Sequence, residues 1–177
     1  MKSVLISIRP QWVEKIVSGK KTIEVRKTAP KEVPFKCYIY MTQGAYKDLG
    51  LYSEGIYQNR MKVIGEFICD KVYLIKNQRN RFVVANEEQG VTNEIARQSC
   101  LDYDDMVNYL GNKDGYGWHI ADLKIYDKPK PIMQFYKPCP IKIKNCPVCE
   151  LYSTYTGCCM NNIDRPPQSW QFVEEKR

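Results

Sequence analysis

Hydrophobic positions in the N-terminal part of the chain change from strand spacing to helix spacing and back. Residues 2–8 form a short apolar run, which predicts a buried strand, and Pro10 follows at a position suited to opening a helix. Apolar residues then recur at helical spacing until Gly19, where the helix is predicted to end. Residues 22–26 and 35–42 alternate between apolar and polar side chains, so each is predicted to be a half-buried strand.

The remaining sequence predicts further strands and two helices, separated by polar segments. The predicted elements are a loop at 43–60, a strand at 61–76, helices near 92–99 and 103–110, a strand at 116–127 and a terminal strand at 169–173. Asp102 precedes the second of these helices as its N-cap. Several strands interrupted by few helices indicate a small, strongly bent sheet or barrel of the α+β class.

The length of 177 residues fits one domain. We predict a barrel core over residues 1–136 and a cysteine-rich insertion or loop over 137–168. Over 169–177 we predict a terminal strand that returns to the barrel, followed by a charged tail that leaves the fold. No apolar run resembles a secretory signal or approaches the ~20 residues of a membrane-spanning helix. The expected location is therefore the cytoplasm, with no membrane partner.

The charge balance changes this picture by favouring an anionic partner. A net charge of +7, from 27 Lys and Arg against 20 Asp and Glu, favours attraction to polyanions. Thirteen tyrosines and three tryptophans provide aromatic faces of the kind that stack on unpaired bases. The alternative is that most of these rings belong to the core. Charge and aromatic content together favour RNA or a nucleotide as the partner.

One strand face near the first helix carries a cluster of polar side chains. Lys21 and Arg26 are suited to phosphate, Arg26 as a planar fork and Lys21 as a point charge. Glu24 is suited to accept a hydrogen bond from a base or to orient one of the cations, and Thr22 both donates and accepts. The alternative interpretation is a solvated strand face with mutual ion pairs.

The same segment resembles the N-terminal motif of ASCH-domain proteins. The resemblance rests on SIRP at residues 7–10, a helix, and GKKTIEVR at residues 19–26. Weaker similarities to the family, the last two to a phage and bacterial branch of it, lie at residues 63–67, 117–120 with 123–125, 127–131 and 165–170. Together these segments cover most of the chain.

The resemblance implies a PUA-like fold, which is a small bent β-barrel with flanking helices and a cleft beside the motif. It also implies association with RNA or a nucleotide. We therefore expect Lys21, Thr22, Glu24 and Arg26 to line a basic cleft, with Arg9 nearby. Fold alone does not transfer function, so two alternatives stay open: a hydrolase using the same cleft, or a phage accessory protein that binds a host protein.

The family that this segment resembles includes two enzymatic branches, one acting on N-acetylated cytidine and one on single-stranded RNA. In the amidohydrolase branch the motif lysine matches Lys21, but the catalytic threonine is replaced by Glu24. A carboxylate beside a lysine favours the charged ammonium over the neutral base. If the protein is an enzyme, Lys21 and Glu24 are the catalytic candidates, and Glu66 is the candidate for that branch's catalytic glutamate.

Four cysteines near the C-terminus match the number of ligands in a tetrahedral Zn²⁺ site. Cys146 and Cys149 form a CxxC knuckle, and Cys158 and Cys159 follow as a pair, with Cys139 as a substitute for one of that pair. Zinc binding would organise a loop that is too poor in apolar residues to fold alone. Free thiols, a redox CxxC and disulfides formed after cell lysis are the alternatives.

Other residues receive simpler interpretations. Cys37 and Cys69 lie within predicted strands and are expected to be small core residues. His119 is the only histidine and is expected to be packed or fixed in one tautomer. Tyr116 and Trp118 share a strand face, which suits either a stacking platform for a base or the core. No phosphate loop or dinucleotide fingerprint occurs, so no organic cofactor is expected.

Overall fold

The computed structural model describes residues 1–44, 55–78, 81–84, 91–138 and 162–175. Its first four elements are strand β1 (Ser3–Ile8), helix α1 (Pro10–Val17), strand β2 (Ile23–Arg26) and strand β3 (Phe35–Met41). These elements lie where the sequence predicts them. The helix begins with Pro10 at its first position and ends before Gly19, whose φ of +72° is a conformation that glycine adopts without strain.

Two segments that were each predicted as one strand are two strands. Residues 61–76 divide into β4 (Lys62–Cys69) and β5 (Val72–Gln78), and residues 116–127 divide into β7 (Gly115–His119) and β8 (Ala121–Lys130). Each break carries the chain from one sheet to another. The single-strand predictions were wrong because the strands before and after each break both carry apolar residues that pack against buried clusters. The apolar pattern therefore continues through the point where the chain changes sheet.

The other described elements complete the α+β class that the sequence predicts. They are β6 (Arg81–Val84), α2 (Val91–Ser99), α3 (Tyr103–Leu110), β9 (Phe135–Tyr136), β10 (Trp170–Phe172), β11 (Glu174–Glu175), and short 3-10 helices at Gly55–Asn59 and Ile132–Gln134. The predicted N-cap is confirmed, since the Asp102 side chain accepts a hydrogen bond from the backbone N–H of Asp105.

Two larger sheets contain most of these strands. One has the strand order β10-β1-β3-β4-β8, with β1 parallel to β3 and the other neighbours antiparallel. The second, antiparallel throughout, has the order β2-β7-β5-β6. The connection between the parallel strands β1 and β3 contains α1 and β2. This crossover brings the polar motif close to the end of β1.

The C-terminal residues return to the fold. Strand β10 pairs with β1, and β11 pairs with β9 in a two-stranded sheet. Val173 lies between these strands, is 2% exposed, and donates its backbone N–H to the carbonyl of Ser3. The expectation that Glu174 and Glu175 leave the fold was therefore wrong, because burial of Val173 holds them beside β9.

The main hydrophobic core lies between the two larger sheets. It joins Phe35 of β3 to Trp118 of β7, whose ring centroids are 5.1 Å apart. Cys37 and Cys69 are both fully buried in or beside this core, as the sequence predicts. Among the described residues, no helix has the length and apolar character needed to cross a membrane.

Candidate functional site

A cavity of about 700 Å³ lies beside the end of β1 and the start of α1. Strand β2, helix α3 and the segment before β10 form its other described walls. The lining residues used below are Arg9, Trp12, Lys21, Glu24, Arg26, Asp105, Asn108, Tyr109 and Gln168. Four of the predicted site residues, Arg9, Lys21, Glu24 and Arg26, are thus brought together in this cavity.

The charged residues of the motif are buried, unlike the solvated strand face that the alternation suggested. Lys21 is 2% exposed, and Glu24 and Arg26 are each 6% exposed. Glu24 and Arg26 lie opposite Trp118 and Tyr116 in the neighbouring strand β7. The expectation of a half-buried strand was wrong because this face of β2 turns toward the interior between the two sheets.

The ammonium group of Lys21 contacts three other groups of the protein. Its Nζ donates to the backbone carbonyl of Ser99 at 2.6 Å and lies 3.3 Å from Oε2 of Glu24. The same atom is 5.3 Å from the centroid of the Trp12 ring, within the range of a cation–π contact. The hydrogen bond, the ion pair and the ring together hold the ammonium group in place.

Glu24 connects the lysine to Arg26. Its Oε1 lies 2.9 Å from Nη2 of Arg26, and that nitrogen also donates to the carbonyl of Ser7 at 2.7 Å. Nη1 of Arg26 has a longer contact of 3.5 Å with Oγ of Ser169. The buried Nε has no hydrogen-bond partner among the described residues. The Nη2 nitrogen of the guanidinium is therefore firmly held, whereas the donors on Nη1 and Nε are not fully used among the described residues.

Arg9 stands at the start of α1 and is exposed. It is the N-cap residue of this helix, but no side chain makes a capping hydrogen bond, and the first turn contains no acidic residue. The uncapped N-terminus of a helix carries partial positive charge on its free N–H groups. Arg9 and the start of α1 therefore add positive potential to one end of the cavity.

Several cavity residues were not singled out by the sequence analysis. Asp105, Asn108 and Tyr109 lie on one face of α3 at helical spacing, and Gln168 precedes β10. The spacing of the three α3 residues was visible in the sequence. It did not mark a site, because a polar helix face is usually exposed to solvent.

Three predicted ligand-binding residues do not line the cavity. Trp118 is fully buried, with its ring 5.6 Å from that of Trp170, so the core alternative holds for it. Tyr116 is half-buried and packs against the main core. The backbone of Thr22 links helix α2 to the turn between β7 and β8, since its N–H donates to the carbonyl of Gln98 and its carbonyl accepts from the N–H of Ile120.

Glu66 also lies outside the cavity lining. Its carboxylate contacts Nζ of Lys36 at 3.1 Å and the hydroxyl of Tyr126. Burial opposes the charged form, yet hydrogen bonds from Tyr126 and Lys36 hold the pKa of Glu66 below its usual value. This glutamate therefore does not join Lys21 and Glu24 in one site.

His119 is held by a carboxylate away from the cavity. Its Nδ1 lies 2.6 Å from Oδ1 of Asp70, and both side chains are partly exposed. The hydrogen bond from His119 holds the pKa of Asp70 below its ordinary value. This contact fixes the orientation of the imidazole, which agrees with the structural role expected for it.

The predicted zinc ligands Cys146, Cys149, Cys158 and Cys159 lie outside the described residues, as does Cys139. Within residues 1–44, 55–78, 81–84, 91–138 and 162–175, no three His, Cys, Asp or Glu side chains cluster as metal ligands do. The zinc site therefore stays a prediction from the sequence.

No protein-family model matches the sequence, and no curated protein is significantly similar to it. Solved structures do resemble the fold. The ASCH protein from Zymomonas mobilis is 18% identical, with a TM-score of 0.56 over 98% of this chain and 88% of that chain. Two mutant proteins of it are each 17% identical, with TM-scores of 0.56 and 0.57 over 98% of this chain and 91% and 89% of theirs. The chain therefore has the α+β fold of ASCH-domain proteins.

Proposed function

We propose that this protein binds single-stranded RNA, or a free nucleotide, by placing one nucleotide in the cavity. The observation that carries the proposal is the combination of two arginines and two aromatic rings in one cavity of about 700 Å³. That volume lies within the ~300–1,000 Å³ of ordinary small-molecule sites. A nucleotide needs these two kinds of contact, one for its phosphate and one for its base.

The aromatic rings of Trp12 and Tyr109 are suited to contact the base. Stacking of a base on an aromatic ring contributes about 1–3 kcal/mol to binding and requires no particular sequence. A lysine lies over each ring, with Nζ of Lys15 4.6 Å from the Trp12 centroid and Nζ of Lys27 5.4 Å from the Tyr109 centroid.

The amide groups of Asn108 and Gln168 also line the cavity. An amide presents both a donor and an acceptor, which is the pattern needed to hydrogen-bond the edge of an unpaired base. Helix α3 supplies one amide and the segment before β10 supplies the other. They give the cavity a means of preferring one base over another.

Binding of RNA agrees with the other properties of the chain. The net charge of +7 favours polyanions, and the fold is that of proteins whose sequence motif resembles residues 19–26. We place the protein in the cytoplasm as part of this proposal. We also propose that the protein belongs to the phage and bacterial branch of ASCH-domain proteins, which residues 127–131 and 165–170 resemble.

The proposal is tested by titrating a short fluorescent single-stranded RNA with the wild-type protein and with Arg9→Gln. Arg9 is exposed, so its replacement should leave folding intact while removing one phosphate contact. We expect weaker binding and a salt dependence reduced by about one counterion. Lys124→Gln on β8 is the matched control, since it removes one exposed positive charge from a position that does not line the cavity.

Equal losses in the two variants would show that only net charge matters and would contradict the proposal. Absence of RNA and nucleotide binding in the wild type, together with no nucleic-acid absorbance in the freshly purified protein, would favour the accessory protein that binds a host protein.

A further inference from the structure

We propose that the N-terminal end of α1, Arg9 and Arg26 form an anion subsite whose charge is matched to a singly charged phosphodiester rather than to a doubly charged terminal phosphate. The inference rests on the proposed function and deepens it, because it distinguishes an internal phosphate of a strand from the phosphate of a free nucleotide. Three observations carry it.

The first observation is the buried guanidinium of Arg26. Two of its contacts, to Glu24 and Ser7, use the same nitrogen, Nη2. Nη1 has only one contact, at 3.5 Å, and Nε has no hydrogen-bond partner among the described residues. Nε is enclosed by protein, whereas Nη1, held only by this 3.5 Å contact, keeps donor capacity for the phosphate of a ligand.

The second observation is the start of α1. Ile8, Arg9 and Trp12 bring this helix terminus to the cavity, and no side chain caps it. The N–H groups of Trp12 and Val13 both donate to the carbonyl of Arg9, so the N–H of Gln11 and the helix dipole are what favour an anion there. Pro10 at the first helical position donates no hydrogen bond, and Arg9 adds a full positive charge beside it.

The third observation is the charge of the lining. Three cationic side chains, Arg9, Lys21 and Arg26, face two anionic ones, Glu24 and Asp105, among the described lining residues. One net positive charge remains. A phosphodiester carries one negative charge, which neutralises the net positive charge of the lining. A terminal phosphate carries about 1.5–2 negative charges near neutral pH, so it leaves excess negative charge beside the carboxylates of Glu24 and Asp105.

Asp105 provides the most direct test of the charge match. Asp104 and Asp105 both lie in the first turn of α3, but only Asp105 lines the cavity. Asp105→Asn and Asp104→Asn therefore each remove one negative charge from the protein and from the first turn of α3. Only Asp105→Asn removes that charge from the lining of the cavity. Neither residue belongs to the core.

The experiment measures binding by calorimetry for three probes that carry the same base: the nucleoside, its 5′-monophosphate and its dinucleoside monophosphate. All four bases are tried at about pH 7.5, above the second phosphate pKa of about 6. We expect the dinucleoside monophosphate to bind most tightly to the wild type. Asp105→Asn should improve binding of the 5′-monophosphate about threefold, and Asp104→Asn should not.

Arg9→Gln should weaken binding of both phosphate probes about tenfold and leave the uncharged nucleoside unchanged. An equal loss for the nucleoside, or equal effects of the two aspartate variants, would overturn the anion subsite while leaving nucleotide binding intact. Tighter binding of the 5′-monophosphate than of the dinucleoside monophosphate by the wild type would overturn the charge match. Failure of every probe and of single-stranded RNA to bind would overturn this inference and the proposed function together.

Discussion

Nζ of Lys21 lies 3.3 Å from Oε2 of Glu24, and both side chains are less than a tenth exposed. The pair continues into Arg26, which lies 2.9 Å from the other oxygen of Glu24. One buried carboxylate thus forms ion pairs with two cations, which come before and after it on the same motif. Ion pairs in this setting depend on each other, because removal of one partner leaves another charge buried and uncompensated.

The first prediction is that Glu24→Gln strongly destabilises the fold. The glutamine keeps the shape of the side chain but removes the one negative charge that pairs with both Lys21 and Arg26. We expect the free energy of unfolding to fall by about 3–5 kcal/mol, as measured by urea denaturation.

The control for this prediction is Glu32→Gln, which removes the partner of an exposed ion pair. Nζ of Lys2 lies 2.8 Å from Oε1 of Glu32, with side chains 53% and 70% exposed. Solvent screens such a pair, so the loss should stay below about 1 kcal/mol. Equal decreases in the free energy of unfolding of the two variants would show that the buried ion pairs stabilise the fold no more than the exposed one does.

The second prediction is that the protein is a poor hydrolase of N-acetylated cytidine. Lys21 is held by the carbonyl of Ser99, the carboxylate of Glu24 and the ring of Trp12, so its amine is occupied by the protein and is not presented to a substrate as a catalytic group. Chromatography of the nucleoside after incubation with the purified protein should show little deacetylated product. Efficient turnover that disappears in a folded Lys21→Ala variant would make the protein an enzyme.

The third prediction comes from the sequence alone and concerns metal. Protein purified without chelator or a metal-affinity step should contain about one zinc ion per chain, because Cys146, Cys149, Cys158 and Cys159 provide four thiolates. Cys149→Ser should release the metal and make residues 139–165 sensitive to protease. Metal-free protein in which these thiols react freely would refute the prediction.

The fourth prediction is that Cys37 and Cys69 resist alkylation in the native protein. Burial raises the pKa of Cys69 to about 12 and raises that of Cys37 well above its ordinary value. Little reactive thiolate is therefore present near pH 8. Peptide mapping should find both residues modified only after unfolding, while the partly exposed Cys100 is modified in the native state. If Cys69 in the native protein were alkylated as fast as Cys100, the burial of Cys69 in the core would be contradicted.

The sequence by itself determined the elements whose cues are local. The helix that begins at Pro10 and ends before Gly19, the strand at 35–42 and the cap at Asp102 follow from backbone conformation and side-chain period, which act over a few neighbouring residues. The buried character of Cys37 and Cys69 follows in the same way. The residues of the motif also identified one wall of the cavity before any contact was known.

Only the tertiary structure decided what covers each face. Side-chain period indicates that Glu24 and Arg26 share a face, but burial of that face depends on β1 and β7, which are distant in sequence. The same applies to Trp118, whose place in the core depends on Phe35 and Trp170. The walls formed by α3 and by the segment before β10 could not be predicted, because long-range packing alone brings them beside the motif.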